Sequence, residues 1–183
     1  VPHDFVVVKA GTQNTGKTFT DPSNQYTGPK GVKMYPLSGA EFAIYNANPN
    51  TDANATVVKT LTQANATDGY YWSVNDLELG RVYWLVETKA PAGHSLLPRP
   101  ITFTLDAAQT DGTGTKVELG DEVENTAKWA KGAVQAFSSI SGSLPGPKGF
   151  LVGNARKATL LVKDTEVGHL PVSGSFGIYP YIG

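Results

Sequence analysis

Apolar and polar residues alternate with a period of two along much of the chain. The stretches FVVVKA (5–10), AEFAIYN (40–46), TVVKTLT (56–62), YYWSV (70–74), RVYWLVETK (81–89) and ITFTLD (101–106) are short and rich in β-branched and aromatic residues. Clusters of Gly, Pro, Asn and Asp bound them, so each predicts a strand. Two more strands are expected in FLVGN (150–154) and ATLLVKD (158–164), joined by a polar turn at 154–157. A set of this kind predicts an all-β sandwich. One segment departs from the pattern. Over 121–140, Val123, Ala127, Ala130, Val134 and Phe137 recur at helical spacing, Asp121 can cap, Glu124 fits a capping box, and Lys128 and Lys131 follow. An inserted amphipathic helix is expected there.

Three strands end their apolar faces in charge. Strand alternation puts Lys9 on the face of Phe5 and Val7, Glu87 on that of Tyr83 and Leu85, and Asp164 on that of Leu160 and Val162. Each alone reads as a strand-end residue reaching back to water, as a lysine does by snorkelling. Together they point to an amine and two carboxyls that the fold brings into one interior.

Gly11 to Thr18 spells G-x-x-x-x-G-K-T directly after the first strand. A phosphate-cradling loop needs a helix immediately behind it, and TFTDPSNQYTGPKG, with two prolines, starts none. No nucleotide is expected, and the stretch reads as a flexible loop. The formal charge of −1 over 183 residues offers no basic field for nucleic acid. Cysteine is absent, which excludes disulfides, thiolate metal sites and a cysteine nucleophile. His3, His94 and His169 lack metal-ligand spacing, so no metal or other cofactor is expected. The start at Val1 and the absence of a long apolar run suggest a soluble, excised piece.

The stretch PLSGAEFAIYN, and above all VYWLVETKAPAGHSLLPRPITFTL, resembles the B-type (Cna B-type) domains of Gram-positive collagen-binding adhesins and sortase-assembled pilins. The family's E-box, roughly Y-x-L-x-E-T-x-A-P-x-G-Y, is met by Tyr83, Leu85, Glu87, Thr88, Ala90, Pro91 and Gly93, with His94 in the last position. The resemblance, over about residues 5–174, implies an immunoglobulin-like Cna B-type sandwich. It also implies a spontaneous isopeptide bond from a first-strand lysine to a last-strand Asn or Asp, assisted by the E-box glutamate. Lys9 would be the nucleophile and Glu87 the assisting acid. Asp164 is the expected acceptor, with Asn154 and Asn125 as alternatives. Burial would disfavour charge on all three groups and so leave a neutral nucleophile beside protonated acid. The bond would form once, so the chain is not expected to be an enzyme.

LPVSG, from Leu170, resembles the L-P-x-T-G sorting signal with Ser173 in place of Thr. By that resemblance sortase would cleave between Ser173 and Gly174. The expected organisation is a domain over 1–169 and a truncated sorting tail over 170–183. The expected function is the structural C-terminal domain of a cell-wall-anchored pilin or adhesin, with sortase and neighbouring subunits or peptidoglycan as partners. The rival is a module binding host matrix or glycan through loops 12–29 and 46–55, favoured by a wide exposed aromatic patch there. A carboxylate hydrolase would need Glu87 and Asp164 in an open cleft. Trp72, Trp84 and Trp129 read as packing residues, and the NAT triplets at Asn54 and Asn65 as loops.

Overall fold

The computed structural model describes residues 4–27, 31–107, 114–120, 134–139 and 149–164. Its strands form two sheets. In the first, β1 (Phe5–Gly11) is central. It runs parallel to β11 (Ala155–Lys163) on one side, from Phe5 opposite Ala158 to Ala10 opposite Lys163. On the other side it pairs antiparallel with β5 (Tyr71–Val74) and then β2 (Tyr35–Pro36). The far side of β11 takes β10 (Phe150–Val152) and then β9 (Val134–Phe137). The second sheet is antiparallel, in the order β4 (Val57–Leu61), β3 (Glu41–Tyr45), β6 (Val82–Lys89), β7 (Ile101–Ala107), β8 (Thr115–Leu119).

Inner faces of both sheets meet in the main core. Phe5, Val7, Leu160 and Val162 from the first pack against Phe42, Tyr83, Leu85, Ile101, Phe103 and Leu105 from the second. The continuous apolar run of β1 has a further consequence, because a strand apolar on both faces must be covered on both. The segment after it supplies that cover. Phe19, Tyr26 and Met34 are buried with Val6, Val8, Ala10, Tyr70, Phe137, Phe150 and Leu161 in a second core outside the first sheet. Tyr26 stacks on Phe137 with ring centroids 5.0 Å apart. Asn24 fastens the strap, accepting from Leu151 N at 2.7 Å and donating to Leu151 O at 3.0 Å. The packed strap begins at Phe19, just past the stretch read as a flexible loop. Thr12 to Thr18, with no helix behind, is largely exposed.

The expected helical insertion needs correction. Val134 and Phe137, assigned to its apolar face, lie in β9. Their spacing of three fits a helix, but the ladder along β11 and the place for Phe137 in the second core win. Ala136 hides the period of two, since Val134 and Ala136 meet the main core while Phe137 faces the other. Residues 121–133 lie outside the described ones. Among the described residues the only helices are short 3₁₀ turns, and these residues form an all-β, immunoglobulin-like sandwich.

Candidate functional site

Lys9, Glu87 and Asp164 are each carried inward by the period of a strand. Lys9 follows Phe5 and Val7 on the inner face of β1, and its backbone is pinned by Lys9 N to Tyr70 O (2.8 Å) and Leu37 N to Lys9 O (3.1 Å). Asp164 follows Lys163 at the end of β11, one residue beyond the pairing of Ala10 with Lys163. Glu87 approaches from the opposite sheet, where β6 pairs Glu87 with Phe42 across a bulge at Glu41/Phe42. Bulges re-aim side chains.

The three are buried, at 0%, 6% and 4% exposure for Lys9, Glu87 and Asp164. Lys9 Nζ lies 3.1 Å from Asp164 Oδ1 and donates to Val162 O at 3.2 Å. Glu87 Oε1 accepts from Leu97 N at 2.8 Å. Glu87 Oε2 and both Asp164 oxygens lack a well-aligned hydrogen-bond donor. Two facing carboxylates could supply none to each other, whereas one proton shared between them could. Burial, followed by the hydrogen bond to Asp164, pushes the Glu87 carboxyl up to about 9, outweighing the attraction of Lys9. At neutral pH Glu87 therefore carries a proton. Burial also lowers the Lys9 amine from its ordinary value, against the pull of Asp164 and Glu87. An amine with weakened hold on its proton, a carboxyl at contact distance and a protonated acid are the components of amide condensation.

Asn154 is exposed in the turn between β10 and β11, away from this cluster, and so is not placed as an acceptor. Asn125, Ser173 and Gly174 lie outside the described residues. The E-box positions have structural duties: buried Tyr83 accepts from Glu78 N through its hydroxyl (2.9 Å), and Gly93, at φ 77°, turns the chain after Pro91. Leu97 N and Val162 O escaped the sequence reading, since backbone partners carry no side-chain signal. Glu87 and Asp164 face the interior rather than an open cleft, which removes the hydrolase reading.

Residues 30–122, just over half of the chain, match the family described as SpaA, prealbumin-like fold domain. The chain belongs to the SpaA prealbumin-like fold family. The SpaA match runs from β2 to β8 and includes Glu87, while Lys9, on β1, and Asp164, just past β11, lie outside it. No curated protein matches the chain. This SpaA-family chain is a structural, pilin-like domain with a buried Lys–Asp pair. Among the described residues no group of three or more His, Asp or Glu could hold a metal.

Proposed function

We propose that this domain welds its first strand to its last and serves as the C-terminal structural module of a cell-wall-anchored pilin or surface adhesin. The observation that carries the reading is the dry contact of Lys9 Nζ with the Asp164 carboxyl, with protonated Glu87 beside it. The neutral amine attacks Asp164 Cγ. Glu87 hydrogen-bonds the carbonyl oxygen as charge develops on it and relays protons. The Nζ–Cγ bond forms, one Cγ–O bond breaks, and that oxygen leaves as water with the carboxyl proton and one hydrogen from the neutral amine, whose other hydrogen stays on the amide. The product exchanges two buried ionisable groups for a neutral amide, which removes their desolvation cost.

Residues 1–169 form the domain in this reading and 170–183 its sorting tail. Sortase cleaves between Ser173 and Gly174 and passes the serine carbonyl to a neighbouring subunit or to peptidoglycan, which sets the domain on the cell surface. Family membership and LPVSG support this part. The rival, a host-ligand module, loses its expected aromatic patch on loop 12–29, because Phe19 and Tyr26 turn inward.

Intact mass decides the cross-link. The chain should weigh one water less than its sequence and Glu87→Ala should restore the full mass. A parent at full mass would remove the bond from the account. For the tail, sortase and an amine acceptor should release a peptide beginning at Gly174, and a Leu170→Ala chain should be inert.

A further inference from the structure

Condensation in a sealed interior raises the question of where the water goes. The residue facing the end of the site is His94. After β6, the turn from Pro91 (His94 N to Pro91 O, 3.1 Å) folds the imidazole back against β1, leaving the side chain 8% exposed. Its Nδ1 lies 3.0 Å from Ala92 O. A carbonyl only accepts, so Nδ1 carries the hydrogen, and in the neutral ring Nε2 is left as an acceptor. Nε2 is buried and has no hydrogen-bond partner.

What Nε2 faces is Gly11. A Cβ on Gly11 would stand 3.7 Å from Nε2 and 3.2 Å from Leu37 Cδ2. Gly11 shares the inner face of β1 with Lys9, two residues earlier. The parallel register ends with Lys9 opposite Val162 and Ala10 opposite Lys163, so Gly11 and Asp164 are the next residues along the two chains. The segment that carries His94 also supplies Leu97 N to Glu87 Oε1. One loop thus holds the assisting acid and closes the site at its acceptor end.

We infer that Gly11 and His94 form the exit for the water of condensation, with His94 Nε2 as its first hydrogen-bond acceptor. The inference rests on the cross-linking reading and deepens it. The oxygen leaves Asp164 Cγ with the carboxyl proton and one hydrogen from the amine, and the water moves toward Gly11, where no side chain stands between it and the lone pair of Nε2. His94 touches neither reacting atom before the bond forms and so is a positioning residue.

The test follows the full chain through cell-free synthesis, sampling intact mass at intervals once synthesis stops. His94→Phe keeps a ring without the acceptor and should slow water loss about tenfold, the worth of one good hydrogen bond. His94→Gln, which restores a side-chain acceptor, should recover most of the rate. Gly11→Ala should slow it as well. In the Glu87→Ala background, His94→Phe should leave the unfolding midpoint in urea unchanged, which separates an effect on the reaction from one on folding. Parent-like rates in both His94→Phe and Gly11→Ala overturn the exit, as does a slow His94→Gln or a midpoint that shifts enough to account for the rate. If the parent itself never loses water, the cross-link fails rather than the exit.

Discussion

Lys9, Glu87 and Asp164 show what a strand's period can and cannot reveal about single residues. Alternation placed all three inward because successive side chains on a pleated strand have only two directions to take. It could not reveal that Leu97 N would hold Glu87, since that depends on the path of a loop. The protonated state of Glu87 makes a prediction with a definite sign. Beside Lys9 the folded carboxyl holds its proton up to about 9, and Lys9→Met, which can form no cross-link, removes an attraction that lowers it, while the unfolded carboxyl releases its proton near 4.5. The folded state binds more protons between those values, so stability is complete below about 4.5 and falls as pH rises toward 9. Urea midpoints across that range should decline, and adding Glu87→Gln should flatten the slope. In the parent, cross-linking followed by intact mass should slow as pH passes about 9 and Glu87 loses its proton.

At the scale of elements, β1, β3, β4, β5, β6, β7, β10 and β11 were legible, and β2, β8 and β9 were not. The two residues of β2 carry no pattern, and TKVEL of β8 (Thr115–Leu119) is half charged or polar. β9 misled because four residues satisfy helical and strand spacing alike until a partner strand decides. The strap over the outer face of β1 was hinted at by the unbroken apolar run FVVV, which is more than one buried face requires. Its fastening is testable. Asn24→Ala deprives Leu151 of both hydrogen bonds and should cost about 2 kcal/mol in urea unfolding of the Glu87→Ala background. Gly149, between β9 and β10, has no room for a side chain, because a Cβ there would collide with the carbonyl oxygens of Lys157 and Ser138. Both are backbone atoms, so Gly149→Ala should cost about 3 kcal/mol in the same measurement.

For the whole molecule, composition and strand pattern sufficed for a sandwich, whereas the parallel closure of first strand on last became visible only in three dimensions, since neighbours in a sheet need not be neighbours in sequence. A covalent bond from residue 9 to residue 164 encloses most of the chain, and loop entropy sets its worth at about 5 kcal/mol. Parent and Glu87→Ala should differ by about that amount in denaturant, and the parent should outlast the variant under protease. The β1–β11 ladder also has a mechanical meaning. Asp4 meets Lys157 at one end and Lys9 meets Asp164 at the other. Because the two strands run the same way, pulling Asp4 and Asp164 apart slides one strand along the other, and the ladder's bonds must fail together rather than peel singly. With the amide in place even that sliding is arrested. Load entering at Phe5 would travel only as far as Lys9, cross to Asp164 and leave, so that the sandwich from β2 to β10 would hang beside the line of force without bearing it.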